Sequence, residues 1–271
     1  MARVVAIANQ KGGVGKTTTT FNLAHALCDN GKKRVLVCDF DPQASLTIAC
    51  GFEPHRLEKT VYDLLVDTEE ELSPWTVIQA TKTQEIRLLP SNIDLSNAEQ
   101  QLVSQLSREH ALKRVVDHLR GDFDLILIDC PPSLGLLMTN ALTAADAVII
   151  PVSSDYLSLR ALEHLLPTIQ KVRRHVNPAL RNLGIVVTRH DRTVHAKEIL
   201  EELRKAFDGT LFETIIPASV KAKDAIAKGE SIFSADPESA LAEAYRSLAN
   251  EVDARMSGAA RPQALGAVAH G

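Results

Sequence analysis

Short apolar runs rich in β-branched residues alternate along the chain with longer segments whose apolar residues recur every three or four positions. The short runs predict strands, and the longer segments predict amphipathic helices. Several strand candidates, such as Leu125-Ile126-Leu127-Ile128, are apolar throughout. This is typical of parallel strands that are covered by helices on both faces. The pattern therefore predicts an α/β fold with a mostly parallel, twisted sheet between helical layers.

The predicted elements alternate over almost the whole chain. The expected strands are Arg3–Asn9, Arg34–Asp39, Glu85–Leu89, Asp124–Asp129, Ala147–Val152, Gly184–Thr188 and Glu213–Ile216. The expected helices are Thr18–Asn30, Val61–Leu65, Ser96–Leu106, Glu109–Leu119, Leu134–Ala145, Ser158–His175, Val194–Phe207 and Ser239–Met256. We expect one domain over residues 1–256 and a disordered tail, 257–271, because the tail is rich in Ala, Gly and Pro and has no apolar face.

A glycine-rich loop follows the first predicted strand and precedes the first predicted helix. It reads Gln10-Lys11-Gly12-Gly13-Val14-Gly15-Lys16-Thr17-Thr18. Glycines let successive backbone N–H groups surround a phosphate, and the helix presents the positive end of its dipole to the same anion. Lys16 can supply charge to the β- and γ-phosphates, and the Thr17 hydroxyl is placed to hold Mg²⁺. The loop therefore predicts binding of a nucleoside triphosphate with Mg²⁺.

One position of this loop departs from the standard phosphate-binding pattern. Gln10 occupies the place of the first glycine, and an additional lysine, Lys11, precedes the glycine pair. Lys11 is either a solvated loop charge or a second cation for the phosphates. If it points out of its own site, it can reach the phosphates that a facing subunit binds.

Acidic residues follow two of the predicted buried strands. Asp129 closes one strand and precedes Cys130-Pro131-Pro132, where it is either a Walker B ligand of Mg²⁺ or a helix-capping aspartate. Asp39 and Asp41 follow another strand, at an end that should open onto the nucleotide. The residues alone do not decide whether Asp39 or Asp41 positions the attacking water.

At Lys11–Thr18 the sequence resembles the deviant Walker A loop of the ParA/Soj-type partitioning ATPases, whose relatives include the MinD division-site ATPases and the nitrogenase iron proteins. The resemblance extends from Arg3 to Val252. Further motifs stand in the family's order and spacing: Asp39-Phe40-Asp41-Pro42-Gln43-Ala44-Ser45-Leu46-Thr47, Pro90-Ser91-Asn92-Ile93, Asp129-Cys130-Pro131-Pro132 and Ile216-Pro217.

The resemblance implies a single-domain P-loop NTPase fold and Mg²⁺-dependent hydrolysis of ATP. We expect slow basal turnover, because the sequence shows no separate arginine finger. The resemblance implies that ATP is bound by Lys11, Gly12, Gly13, Val14, Gly15, Lys16, Thr17, Thr18, Thr188, Arg189 and Pro217, the last three near the adenine. The catalytic residues it implies are Lys11, Lys16 and Asp41, with Thr17, Asp41 and Asp129 at the metal. Asp41 then positions the water. It also implies a homodimer in the ATP-bound state and stimulation by a ParB-type, centromere-binding partner.

Basic residues recur in the C-terminal half of the chain. They are Arg173, Arg174, Arg189, Arg192, Lys221 and Lys223. No aromatic residues are interleaved with them, which favours contacts to duplex phosphates over stacking on single-stranded bases. The resemblance places Arg192 and Lys221 at positions that bind DNA non-specifically, with Lys223 as a further candidate; Lys221 replaces an arginine common in close relatives. For each of these residues, a solvated surface charge is the alternative.

Composition limits where these contacts can lie. The formal net charge is −4, so any DNA binding must come from a local patch. No apolar run approaches the length of a membrane span, and the N-terminus lacks the pattern of a signal peptide. We therefore expect a cytoplasmic, nucleoid-associated protein. Its four cysteines show no metal-binding spacing and are expected to be reduced, buried thiols.

Other switch functions remain open at this point. A MinD-like membrane switch uses a basic amphipathic C-terminal helix, a pattern that Ser257–Gly271 lacks. A protein-cargo positioning ATPase is hardly distinguished from a DNA-partitioning one by this sequence. An iron–sulfur reductase needs two cluster cysteines after the Walker B strand, and no cysteine follows Cys130. Since nine residues precede Gln10, we expect no N-terminal helix-turn-helix module and no operator-specific repression.

Overall fold

A computed structural model describes residues 1–29, 33–67, 69 and 71–258. Within these ranges the strands are β1 (Arg3–Ile7), β2 (Val35–Asp39), β3 (Gln79–Ala80), β4 (Ile86–Leu89), β5 (Leu125–Asp129), β6 (Ala147–Ser153), β7 (Arg181–His190) and β8 (Leu211–Pro217). They form one sheet in the order β3-β4-β2-β5-β1-β6-β7-β8. All neighbouring strands are parallel except β3 and β4. The predicted α/β fold with a mostly parallel sheet is therefore confirmed.

Helices cover both faces of this sheet. In chain order they are α1 (Lys16–Asp29), α2 (Ser45–Ala49), α3 (Val61–Val66), α4 (Leu95–Leu102), α5 (Ala111–Leu119), α6 (Leu136–Ala144), α7 (Tyr156–His175), α8 (Val194–Ala206), α9 (Val220–Ala227), α10 (Ile232–Ala235) and α11 (Ala240–Ser257). Helices α3 to α8 pack on one face, and α1, α2, α9, α10 and α11 pack on the other. No helix in the described part of the chain is long and apolar enough to cross a membrane.

The uninterrupted apolar strands are explained by these two helical layers. In β5, Ile126 and Ile128 belong to the core on one face, whereas Leu125 and Leu127 belong to the core on the other. Because neither face of the strand meets water, neither set of alternating positions can be polar. Parallel pairing also brings the carboxyl ends of adjacent strands together, so that Asp39 and Asp129 stand opposite each other.

The sequence missed β3, α2, α9 and α10. These elements have two to eight residues each, fewer than the roughly 11 residues over which hydrophobic periodicity can be recognised. Strand β7 is longer than the predicted Gly184–Thr188. The prediction took Gly184 as the start of the strand, whereas it lies inside the strand. A Cβ atom on Gly184 would lie 2.3 Å from Nη1 of Arg255 and 2.7 Å from Cε2 of Phe212, so glycine permits close packing there.

Two predictions concern segments that are only partly described. The predicted end of the first helix, Asn30, lies outside the described residues, and α1 is assigned as far as Asp29. Helix α11 continues through Ser257, which the sequence placed in the tail, and it ends at Gly258 in the left-handed conformation (φ 81°). The rest of the predicted tail, 259–271, lies outside the described residues.

Candidate nucleotide-binding site

A cavity of about 670 Å³ opens where the glycine-rich loop meets the carboxyl ends of the strands. Its polar end is lined by Gly12, Gly13, Gly15, Lys16, Thr17 and Asp41. Its other end is lined by Ile216, Pro217, Ala218, Val220, Leu241 and Tyr245. A cavity with a polar, cationic end and an apolar end matches the two halves of a nucleotide, the phosphates and the base.

The loop backbone is shaped by its glycines and held from outside by β7. Gly13 and Gly15 have φ angles of 75° and 82°, a region that is costly for residues with a Cβ atom. Thr188 Oγ1 donates to the carbonyl oxygen of Val14 at 2.7 Å, and the Arg189 guanidinium donates to that of Gly13. Because both carbonyls are bound by side chains of β7, the loop is held in one conformation, with its glycines lining the cavity.

Lys16 lies folded back within its own loop. Its side chain is buried, and its ammonium donates to the carbonyl oxygen of Lys11 at 3.2 Å. Burial lowers the pKa of Lys16, while the nearby carboxylates Asp129 and Asp41 act against that change. A buried ammonium with a carbonyl partner is well suited to bind a phosphate oxygen.

Two of the three residues predicted at the metal, Thr17 and Asp129, together fit Mg²⁺. Thr17 Oγ1 donates to Asp129 Oδ2 at 2.7 Å, so a hydroxyl and a carboxylate oxygen lie together. Burial and the neighbouring Asp39 carboxylate raise the pKa of Asp129 to about 8, an effect that the Thr17 hydrogen bond and the Lys16 ammonium oppose only in part. No group of three or more His, Cys, Asp or Glu side chains within the described ranges could hold a metal. Mg²⁺ typically takes one or two protein oxygens plus phosphates and waters, which is the set available here.

Asp39 and Asp41 occupy different environments. Asp39 is fully buried and accepts hydrogen bonds at 2.7 Å from both the backbone N–H and the hydroxyl of Thr47. Burial raises the pKa of Asp39 to about 7. Asp41 lines the cavity, and the cavity can therefore admit a water molecule beside its carboxylate. The geometry is consistent with the water-positioning role predicted for Asp41.

Lys11 is bound within its own chain. Its ammonium lies 2.6 Å from Asp155 Oδ1 and 3.2 Å from Ser158 Oγ, both at the start of α7. Hydrogen bonds from Lys11 and Ser153 lower the pKa of Asp155 despite the opposing effect of partial burial. Lys11 is therefore not a freely solvated loop charge, and a contact with a facing subunit requires this ion pair to open.

The residues predicted near the adenine divide into two groups. All three line the cavity. Pro217 lies at its apolar end, as a base contact requires, whereas the side chains of Thr188 and Arg189 also donate hydrogen bonds to loop carbonyls. Arg189 has φ 51°, a left-handed backbone that is uncommon outside glycine. The sequence missed the other apolar lining residues, including Leu241 and Tyr245, because their helical spacing indicated only core positions.

We expect Arg189→Ala to weaken ATP binding about fivefold, since the loop would lose an exposed hydrogen bond worth about 1 kcal/mol. Arg189→Lys should recover part of the loss, because it keeps the charge but not the planar fork. Titration calorimetry with ATP measures the affinity. Arg192→Ala, an exposed arginine three positions away, serves as the control. An unchanged affinity in Arg189→Ala would show that the hydrogen bond from Arg189 to the Gly13 carbonyl does not support ATP binding.

The predicted DNA-binding residues are all exposed to solvent. Arg192 is exposed in the loop between β7 and α8. Lys221 and Lys223 are exposed at the start of α9, where Lys221 Nζ lies 2.6 Å from Asp236 Oδ2 and Lys223 also borders the cavity. An ion pair between exposed side chains contributes about 0–1 kcal/mol, so DNA phosphates can compete with Asp236 for Lys221.

Two family models match the chain. One is described as an AAA domain and matches residues 2–182. The other is described as 4Fe-4S iron sulfur cluster binding proteins of the NifH/frxC family and matches residues 118–267. This second range contains a single cysteine, the fully buried Cys130, and one thiol is too few for a cluster held by cysteine thiolates. The matched range therefore does not by itself supply the ligands of such a cluster.

Individual proteins are similar over nearly the whole chain. Sporulation initiation inhibitor protein Soj of Bacillus subtilis is 44% identical over 94% of this chain and 99% of its own length. The chromosome-partitioning ATPase Soj of Treponema pallidum is 41% identical over 94% and 98%. A solved structure of cobyrinic acid a,c-diamide synthase from Mycobacterium smegmatis, with bound ATP analogue and magnesium, has a TM-score of 0.84 at 36% identity and covers 98% of this chain and 100% of that one. The chain therefore belongs to the Soj/ParA family of chromosome-partitioning ATPases.

Proposed function

We propose that this protein is a Mg²⁺-dependent ATPase switch that dimerises when it binds ATP and then binds duplex DNA without sequence specificity. Hydrolysis, stimulated by a ParB-type partner on a centromere-like site, ends that state and drives DNA partitioning on the nucleoid. The observation that carries the proposal is the cavity that brings Lys16, the Thr17–Asp129 pair and Asp41 to one end of a nucleotide-sized space.

The chain's own groups have separate tasks in this reaction. The loop N–H groups and Lys16 bind the phosphates, and Asp41 orients the attacking water. Thr17 and Asp129 would hold Mg²⁺, which when bound neutralises charge on the phosphate oxygens. Phosphoryl transfer depends on such positioning and on charge stabilisation more than on covalent chemistry.

Slow basal hydrolysis follows from where the remaining cations are held. Lys11 is paired with Asp155, and Arg189 is bound to the Gly13 carbonyl. A single subunit therefore presents neither cation to the γ-phosphate without a rearrangement. Slow turnover suits a switch in which the γ-phosphate maintains one state until it is cleaved.

The proposed DNA contact consists of Arg192 and Lys221, with Lys223 and Arg189 as further candidates. Dimerisation would double this patch and so roughly double the number of phosphate contacts. Each contact adds about 0.9 to the slope of log affinity against log salt concentration. ATP-dependent DNA binding is then a consequence of geometry, and no new site has to form.

Arg192→Ala and Lys221→Ala are each expected to weaken DNA binding equally for unrelated sequences. Each should also reduce the salt slope by about 1.8, because the DNA-bound homodimer would lose two phosphate contacts at about 0.9 each. ATP-dependent dimerisation should survive in both, because the residues lie outside the phosphate end of the cavity. Fluorescence anisotropy of labelled duplexes, titrated in ATP at several salt concentrations, measures both quantities. Lys59→Ala, an exposed lysine beside α3, is the charge-matched control. If the double variant keeps its affinity and slope, DNA is bound elsewhere or is not the ligand.

Sedimentation separates this function from the membrane-associated alternative. The protein is mixed with duplex DNA or with anionic liposomes, each in ADP and in ATP. The proposal requires co-sedimentation with DNA in ATP only. Binding to liposomes in ATP, without binding to DNA, would favour a MinD-like switch, and binding to neither would favour a protein cargo.

A further inference from the structure

The turn that carries Asp41 is enclosed by a circuit of buried hydrogen bonds. The hydroxyl of Thr47 donates to Asp39 Oδ2 at 2.7 Å and accepts from the backbone N–H of Ser91 at 3.0 Å. The hydroxyl of Ser91 then donates to the carbonyl oxygen of Asp41 at 2.9 Å. Asp39 Oδ1 closes the circuit by accepting from the backbone N–H of Asp41 at 3.3 Å.

This circuit fixes the backbone of Asp41 on both sides of its Cα atom. The N–H group is bound by Asp39, and the carbonyl oxygen accepts from Ser91 Oγ and, at 2.9 Å, from the backbone N–H of Ala44. The Asp41 side chain also accepts from the N–H of Gln43 at 3.0 Å. The direction in which the Asp41 carboxylate enters the cavity is therefore set by the groups around the turn.

The circuit is shielded from water. Asp39, Thr47 and Ser91 are each 0% exposed, so their hydrogen bonds operate in a low-dielectric interior, where an unpaired partner is costly. The three residues come from different elements: the end of β2, helix α2 and the segment after β4. Ser91 belongs to the Pro90–Ile93 motif. This motif has no role in the phosphate or metal binding described above.

We propose that Thr47 and Ser91 are positioning residues for hydrolysis, which act by holding the Asp41 carboxylate at the place where it orients the attacking water. This inference rests on the proposed function of Asp41. Neither Thr47 nor Ser91 lines the cavity, so neither is assigned a contact with ATP. Misplacing a reacting group by about 1 Å can reduce a rate about a hundredfold, which is why groups outside the cavity can govern turnover.

The matched variants are Thr47→Val, Thr47→Ser and Ser91→Ala. Thr47→Val keeps the side-chain shape but removes the hydroxyl, whereas Thr47→Ser keeps the hydroxyl. Thr47→Val and Ser91→Ala are expected to lower the single-turnover rate of hydrolysis at saturating ATP about tenfold or more, while the Kd for ATP changes less than about twofold. Thr47→Ser should retain most of the wild-type rate.

Thr143→Val controls for a purely structural effect. Thr143 is also buried, and its hydroxyl donates at 2.7 Å to the Thr139 carbonyl oxygen within α6, away from the Asp41 turn. Its hydrolysis rate should stay normal. Its stability loss, measured by thermal unfolding, should be smaller than that of Thr47→Val, which removes a donor to Asp39 and leaves the Ser91 N–H without its acceptor. Ser91→Ala provides an independent test if Thr47→Val does not fold, because it removes the other hydroxyl of the circuit.

Asp41→Ala, measured in the same assay, distinguishes the proposed role of Asp41 from the proposed positioning role of Thr47 and Ser91. Normal turnover in Asp41→Ala would refute the proposed role of Asp41 itself. An inactive Asp41→Ala with normal rates in Thr47→Val and Ser91→Ala would leave that role intact and overturn the positioning inference. Equal losses in Thr47→Val and Thr47→Ser, or in Thr47→Val and Thr143→Val, would also overturn it, since the hydroxyl of Thr47 would then have no specific effect.

Discussion

Replacing Lys11 with Ala is expected to abolish ATP-dependent dimerisation and hydrolysis while leaving ATP binding to the single subunit largely intact. The structure places the Lys11 ammonium on Asp155, outside the cavity lining, so loss of this side chain removes little from the chain's own phosphate site. In the proposed dimer, the same ammonium would reach the phosphates bound by the facing subunit. Its loss would then remove a contact on which the dimer depends.

The Lys11–Asp155 pair is weak enough to open for this exchange. The two side chains are 25% and 41% exposed, and such pairs contribute about 1 kcal/mol or less. A charge-assisted bond to a phosphate that is shielded between two subunits is stronger. Asp155→Asn, which removes the competing charge but keeps the side-chain shape, should therefore still dimerise with ATP.

Size-exclusion chromatography with light scattering, in ADP and in ATP, measures the oligomeric state. Lys16→Ala is the informative comparison, because loss of the buried loop ammonium should weaken ATP binding itself. The two lysines are thus distinguished by which step fails. A Lys11→Ala protein that still forms dimers in ATP would disprove the contact between subunits.

The elements that could be predicted from the sequence are those determined by residues close together in the chain. Strand β5 is apolar at every position from Leu125 to Ile128, and the loop at Lys11–Thr18 stands between a strand and a helix. Parallel strands place their carboxyl ends on one edge of the sheet, so Asp39 and Asp129 could be expected to lie near the loop. Their direct opposition in the sheet agrees with that expectation.

The side-chain contacts that position the residues of the site could not be predicted, because they join residues far apart in the chain. Lys11 and Asp155 are 144 positions apart, and Ser91 and Asp41 are 50 apart. Each of these residues has several polar partners within reach of its side chain, and only packing selects one. The contact of Arg189 with the loop was likewise not predictable. Arg189 has a left-handed backbone (φ 51°), which an arginine rarely adopts and which the sequence does not indicate.

The second large effect is expected in Asp41→Ala, which should block the chemical step and spare ATP binding. General-base or water-positioning groups contribute about 10²- to 10⁴-fold to a rate, so hydrolysis should fall at least about a hundredfold. Because ATP remains bound, the dimer should accumulate with ATP trapped inside it. Phosphate release and the lifetime of the dimer are the two quantities to measure. Asp41→Asn should be similarly slow, since it keeps the shape but loses the negative charge.

Near-normal turnover in Asp41→Ala would transfer the water-positioning role elsewhere, with Asp39 as the next candidate. The structure predicts how a variant of Asp39 would differ from one of Asp41. Asp39→Ala would leave the N–H and hydroxyl of Thr47 without their acceptor in a fully buried position, at a cost of about 1–3 kcal/mol for each unsatisfied group. It should therefore lower the unfolding temperature clearly, whereas Asp41→Ala, at the cavity wall, should lower it less. A variant that loses activity without losing stability identifies the residue that acts on the water, and we expect that variant to be Asp41→Ala.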